Sequence, residues 1–195
     1  MAYEENKIEG RNAVLEAFRS GKTIDKLFVL DGCQDGPVKS ITREAKKHDT
    51  IINYVAKERL DQLSETGKHQ GVIAISAAYD YAEVDDILKK AEEKGEPPFI
   101  FLLDNIEDPH NLGAIIRTAN LAGAHGVIIP KRRAVGLTAT VAKTSAGAIN
   151  YTPVAKVTNL SSTIKAISCQ TNLQTDCLLF SLGEWCRLDL ERLCL

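Results

Sequence analysis

The 195-residue chain is predicted to be an α/β protein of two domains. Helix-like and strand-like segments alternate from the start of the chain. FIFLLD, Phe99 to Asp104, is a continuous apolar run bounded by turn residues, the pattern of a strand buried on both faces of a parallel sheet. Between these regions, Gly95 to Pro98 break any helix and suit a boundary. At 44% hydrophobic and 26% charged, the composition suits one large core or two small ones without disulfide staples.

GRNAVLEAFRSG sets Val14, Leu15 and Phe18 at helical spacing and ends on Gly21, a suitable cap. KLFVL (26 to 30) is a strand, PVKSITREAKKH a helix opened by Pro37, IINYV a strand, AKERLDQLS a short helix and GVIAISA a strand. Together they make residues 1–80 a small α/β domain. Residues 81–98 read as an acidic amphipathic helix and linker. From Phe99 a second domain opens with FIFLLD, a loop, a helix from about Leu112 to Ala122, and VIIP, which form one β-α-β unit. Leu112, Ile115, Ile116 and Ala119 would face the sheet. Gly113, Arg117 and Asn120 would share the accessible side, where a ligand backbone could approach Gly113 while Arg117 reaches over it. Ligands of open α/β sheets sit beyond the carboxyl ends of the strands, which here means Asp104 to Asn111. Position alone leaves Arg117 open between a solvated surface arginine and a site residue.

The net charge of −2 hides a gradient. Residues 99–167 hold 7 basic and 3 acidic side chains, against 3 and 6 in residues 81–98, and Lys131-Arg132-Arg133 is the densest point. Such a block suits a polyanion, while a mixed solvated surface is the commoner origin of any one cluster. No run has the length of a membrane span, and MAYEENKIEG is acidic where a secretory signal would be basic and then apolar, so a cytoplasmic location is expected. SGKT at Ser20 to Thr23 lacks the upstream glycine of a phosphate-binding loop, and no G-x-G-x-x-G follows a strand. His48, His69, His110 and His125 have no metal-ligand spacing with cysteine, so no metal is expected.

HNLGAIIRTANLAGAHG, the following GLTATVAKTSAGAINYTPVAKVTNL, IEGRNAVLEAF and KHQGVIA together resemble the SpoU-type RNA ribose methyltransferases of the SPOUT class. The resemblance is closest to bacterial enzymes that methylate a guanosine 2'-hydroxyl in 23S ribosomal RNA, and it covers residues 7–167. It implies a ribosomal-protein-like RNA-binding domain over 1–80 and, from residue 99, an α/β domain with a deep trefoil knot around S-adenosylmethionine. It also implies a homodimer with the site near the subunit interface. The first catalytic motif falls on Asn111, Gly113, Arg117 and Thr118, with Arg117 engaging the target ribose or its phosphate. Arginine binds phosphate bidentately and stays charged, which suits orientation and charge stabilisation better than base catalysis. Asn111 either bonds the same site or holds the loop. Arg11, Asn12, Lys68, His69 and Gln70 match motifs of the first domain and are candidates for RNA contact, with structural roles for Asn12 and Gln70 equally open. Lys131, Arg132 and Arg133 join them as RNA-binding candidates. Gly147-Ala148 suits either close packing at a dimer interface or a plain turn.

The resemblance stops near Ile167. Family members continue through a G-S-E-G motif and an S-L-N-x-S-V-A motif that build the adenosylmethionine pocket and the knot, and neither is present. Residues 168–195 hold no lysine, eight leucines and four cysteines, after 15 lysines in residues 1–167. Such a break is the pattern left by a frameshift after Ile167, so residues 168–195 are read as a non-family tail, the knot is expected to be incomplete, and no residue is assigned to the cofactor. The alternative reading is a truncated RNA-binding pseudoenzyme without methyl transfer.

Overall fold

The structure is a computed structural model that describes residues 6–170, together with the backbone of Asp176–Ser181 and Glu184–Arg187. The chain divides into two compact units, Met1–Ala78 and Tyr79–Leu195.

In the first unit the chain order is β1 (Asn6–Glu9), α1 (Arg11–Arg19), β2 (Ile24–Leu30), α2 (Gly36–Lys47), β3 (Ile51–Val55), α3 (Lys57–Leu63) and β4 (Val72–Ser76). The sheet order is β1-β4-β2-β3, with β4 antiparallel to both neighbours and β2 parallel to the edge strand β3. Strand alternation sends Leu27 and Val29 of β2 to the face covered by α1 and α2, where they meet Val14, Phe18, Val38 and Ile41. Helix α2 starts where it does because Asp35 accepts the Val38 N–H at 3.1 Å and Pro37 lies in the first turn.

The second unit runs α4 (Val84–Lys94), β5 (Phe99–Asp104), α5 (Pro109–Leu121), β6 (Gly126–Pro130), α6 (Ala139–Thr144), a 3-10 turn (Ala148–Asn150), β7 (Val154–Val157) and α7 (Leu160–Gln170). Two further strands follow, β8 (Asp176–Ser181) and β9 (Glu184–Arg187). The sheet order is β7-β6-β5-β8-β9, parallel except for β9. Strand β5 is central, and its two faces enter different cores, as its unbroken apolar run predicts. Phe101 and Leu103 pack with Leu112, Ile116 and Ala119 of α5. Ile100 and Leu102 pack with Ile87 of α4 and with Ile164 and Ile167 of α7. Each such buried aliphatic side chain stabilises the fold by about 1.5–3 kcal/mol.

Two expectations change. The segment 81–98, read as helix and linker between domains, belongs to the second unit, because Ile87 and Ala91 of α4 are fully buried. Gly126 lets α4 come this close: a Cβ there would lie 2.6 Å from Ile87 Cδ1. Helix α5 begins at Pro109 rather than near Leu112, since Asp108 caps it by accepting the His110 N–H at 3.0 Å. The backbone of residues 176–181, inside the segment read as a non-family tail, pairs with β5 along its whole length. The side chains of that segment, and with them the expected frameshift and incomplete knot, lie outside the described residues.

His125 holds the start of the central strand. It is 1% exposed, its Nδ1 accepts the Phe99 N–H at 2.9 Å, and its Nε2 lies 3.1 Å from Glu96 Oε2. Because Nδ1 is an acceptor, the ring proton sits on Nε2 and is donated to Glu96.

Candidate functional site

The parallel strands β5, β6 and β7 end together, and the loops that follow them form the rim of the second unit. After β5, Asn105 takes a left-handed conformation (φ 56°) and Ile106 turns back into the core. After β6, Lys131 donates its N–H to Val157 O at 2.8 Å, and Arg133 is also left-handed (φ 59°). The Val135 N–H then donates to Ile106 O at 2.8 Å, joining the basic loop to the loop that starts α5. Lys131 is half-buried, while Arg132 and Arg133 are exposed. The basic cluster and the N-terminus of α5 therefore share one rim, an arrangement suited to anions.

On α5, Asn111, Arg117 and Thr118 are exposed. Six residues separate Asn111 from Arg117, which places them roughly 120° apart around the helix and about 9 Å apart along it. Thr118 shares the stripe of Asn111, and its hydroxyl donates to Ala114 O at 3.0 Å. The motif residues thus divide between two sides of α5.

The proposed ligand approach at Gly113 is not what the structure shows. Gly113 is buried, and a Cβ built on it would lie 1.9 Å from Thr144 Oγ1 and 2.9 Å from Val141 O. The glycine admits helix α6, not a ligand. Asn120 is also engaged, its Nδ2 donating to Thr152 Oγ1 at 3.0 Å. Arg117 remains as the exposed member of this stripe, between two neighbours packed against the Thr144–Thr152 segment. Gly147 within that segment has φ 87° and opens the 3-10 turn, with open space where its Cβ would be.

In the first unit, the candidate residues gather at the N-terminus of α1. The Arg11 guanidinium pairs with Asp35 at 2.6 Å and donates from Nε to Gln70 O at 3.0 Å. Gln70, left-handed at φ 52°, accepts the Arg11 N–H on Oε1 at 3.2 Å, so a residue 59 positions away supplies an acceptor at the start of α1. His69 is buried: its Nδ1 accepts the Gly71 N–H at 3.0 Å and its Nε2 faces Asp61 Oδ1 at 2.9 Å. Both ring nitrogens are engaged, so His69 organises the loop. Arg11 and Gln70 are likewise held by partners, while Asn12 and Lys68 stand exposed.

Sequence reasoning missed the anchors of this cluster. Asp35 both caps α2 and holds Arg11, and the Asp-Gly-Pro start of α2 is the signal that could have marked it. Glu9 accepts from Ser64 Oγ at 2.8 Å, from the Glu65 N–H at 2.5 Å and from the backbone and hydroxyl of Thr66. Burial would raise its pKa, but the hydrogen bonds from Thr66, Glu65 and Ser64 outweigh that and hold the carboxyl at about 2. No local pattern announces this bond set, which joins residues more than 50 positions apart.

Among the described residues, no group of three or more His, Cys, Asp or Glu could hold a metal ion. No buried side-chain polar atom among them lacks a partner, so none is held open for a ligand. The described rim offers cations but does not by itself make a site that fits S-adenosylmethionine. The positions past Gln170 that would complete it lie outside the described side chains.

Comparisons with known proteins place these features in a family. Residues 7–82 match the family model for RNA 2'-O ribose methyltransferase substrate binding, and residues 98–179 match the model of the SpoU rRNA methylase family. The second match continues past Ile167, where the resemblance read from the sequence stops. YacO of Bacillus subtilis strain 168, assigned by name to the TrmH family of tRNA/rRNA methyltransferases, is 52% identical over 165 residues, 85% of this chain and 66% of that protein. A TrmH-family protein of Staphylococcus epidermidis is 48% identical over 161 residues, 83% of this chain and 64% of its own length. The chain thus spans just under two thirds of these relatives. Among solved structures, the SpoU methyltransferase AviRb of Streptomyces viridochromogenes in complex with AdoMet is 19% identical, covering 84% of this chain and 58% of that one at a TM-score of 0.41. With substrate-binding and methylase models in tandem along its length, the chain belongs to the SpoU (TrmH) family of RNA methyltransferases.

Proposed function

We propose that this protein transfers a methyl group from S-adenosylmethionine to a ribose 2'-hydroxyl of RNA, the target being a guanosine of 23S ribosomal RNA, and that it works as a homodimer. The observation that carries the reading is the tandem match of both family models, with Arg117 exposed within the second.

S-adenosylmethionine, when bound, presents an electrophilic methyl carbon. The ribose oxygen must lie in line with it and lose its proton, and a hydroxyl is a poor nucleophile. Arg117, always charged and free to fork around an anion, orients the ribose phosphate and stabilises developing alkoxide charge. Arg132 and Arg133 on the rim attract the RNA backbone, and Asn12 and Lys68 contact RNA from the first unit.

The test is methyl transfer with tritiated S-adenosylmethionine on deproteinised 23S rRNA, with transfer RNA as the comparison. Label in 23S rRNA that maps to a guanosine 2'-oxygen supports the reading. Label only in transfer RNA overturns the substrate assignment. Calorimetry with S-adenosylmethionine separates the alternative favoured by the composition break after Ile167: no cofactor binding alongside retained RNA binding identifies an RNA-binding pseudoenzyme. Light scattering checks the dimer.

A further inference from the structure

The first unit carries an exposed aromatic and an exposed row of cations on neighbouring elements, β3 and α2. Tyr54, on edge strand β3, is 57% exposed and is the large exposed hydrophobic of this unit among the described residues. It pairs in register with Val29, whose side chain lies in the core under α1 and α2, so Tyr54 stands on the same face of the sheet as α2. It is near the carboxyl end of β3, the end at which α2 begins in a parallel β-α-β unit.

Helix α2 turns a basic flank toward that edge. Val38, Ile41 and Ala45 are its buried positions. His48, which caps its C-terminus, stacks on Phe18 of α1 at 5.8 Å between ring centroids, so α1 lies along the side of α2 that carries Glu44 and His48. At 100° per residue, Lys39 and Lys46 fall on the other side, toward the β3 edge, and Arg43 lies next to them on the outer face of the helix. All three are exposed and span about 10 Å of helix. None is in an ion pair among the described residues, and Glu44 is matched to Lys47 at 2.8 Å. Of the acids at this end, Asp31 accepts the Gly32 N–H at 3.0 Å and Asp35 pairs with Arg11 at 2.6 Å.

A row of cations leading to an exposed ring is the pattern of a single-strand track, in which phosphates follow the charges and a base stacks on the aromatic. We propose that Tyr54 and the Lys39-Arg43-Lys46 flank of α2 bind an unpaired segment of the RNA substrate, Tyr54 stacking on a base and the cations holding the adjoining phosphates. This rests on the reading of the protein as an RNA-binding enzyme, and it supplies the stacking surface that a sequence poor in aromatics does not advertise.

The experiment measures anisotropy of a fluorescein-labelled single-stranded RNA dodecamer and of the same strand in a perfect duplex, both with the full chain. Tyr54→Ala weakens single-strand binding about 5- to 100-fold at unchanged salt dependence. Tyr54→Phe keeps the affinity, and the duplex, with its bases already stacked, is unaffected by either change. The triple variant Lys39→Gln, Arg43→Gln, Lys46→Gln lowers the slope of log K against log salt by about 2 for the single strand. Wild-type binding that Tyr54→Ala leaves intact, or that falls equally for both probes, overturns the track alone. Absence of wild-type binding to either RNA overturns the track and the RNA reading together.

Discussion

Gly113 of α5 and Thr144 of α6 meet at a distance no side chain could occupy, a Cβ on the glycine falling 1.9 Å from the threonine hydroxyl. The pair fixes how closely the helix bearing Arg117 approaches the segment beside it. On an exposed helical position, glycine to alanine would stabilise by about 1 kcal/mol. Here Val141 O, a backbone atom, lies 2.9 Å from the new methyl group and cannot rotate aside. Gly113→Ala is therefore expected to destabilise the second unit by about 1–3 kcal/mol, read as a lowered thermal midpoint. An unchanged or raised midpoint would contradict the packing described.

Arg117 gives the opposite signature. It is exposed and its neighbours are satisfied without it, so Arg117→Ala should leave the melting temperature within about a degree or two while methyl transfer falls roughly 10²–10³-fold. Arg117→Lys keeps the charge and loses the planar fork, and should recover only a small part of the activity. Equal loss of stability and activity in both variants would assign the arginine to structure.

Glu9 sets a pH dependence. Its folded pKa, about 2, is below the ordinary 4.5. A depressed folded value contributes stability that is fully present above pH 4.5 and is lost as pH falls toward 2. The carboxylate is half-buried and its donors Glu65 and Thr66 are exposed, so the contribution is modest and screened by salt. Glu9→Gln should flatten the stability profile of the first unit between pH 5 and 2, measured by urea denaturation across that range, and a profile as steep as the wild type would refute the assignment.

Arg11 and Lys68 separate holding from touching. Arg11→Ala breaks the pairing with Asp35 and the bond to Gln70 O, and is expected to destabilise the first unit by about 1–2 kcal/mol. Lys68→Ala should leave stability unchanged and reduce the salt slope of RNA binding by about 1. Reversed outcomes would exchange the two roles.

The elements of this fold were largely legible because their signals are local. FIFLLD, the Pro37 start of α2 and the periodicity of Leu112, Ile115, Ile116 and Ala119 each lie within one window of sequence. What was not legible shares one cause, the neighbour that arrives from far along the chain. Periodicity placed Gly113 opposite the sheet correctly, but could not know that α6, some thirty residues later, covers that side. His69 and Gln70 share a motif stretch with Lys68, yet Asp61, Gly71 and Arg11 occupy them. Arg117 and Asn111 stood out by family pattern, and geometry then set them on different sides of one helix.

The central strand β5 waits for its second neighbour. Phe99 pairs with Asp176, so 77 residues of synthesis separate the two strands. At ribosomal speeds of about 5–20 residues per second, that interval is roughly 4–15 s, far longer than hydrophobic collapse requires. Through it, one hydrogen-bonding edge of Phe-Ile-Phe-Leu-Leu stays open on the nascent chain, an apolar edge to which another strand can add.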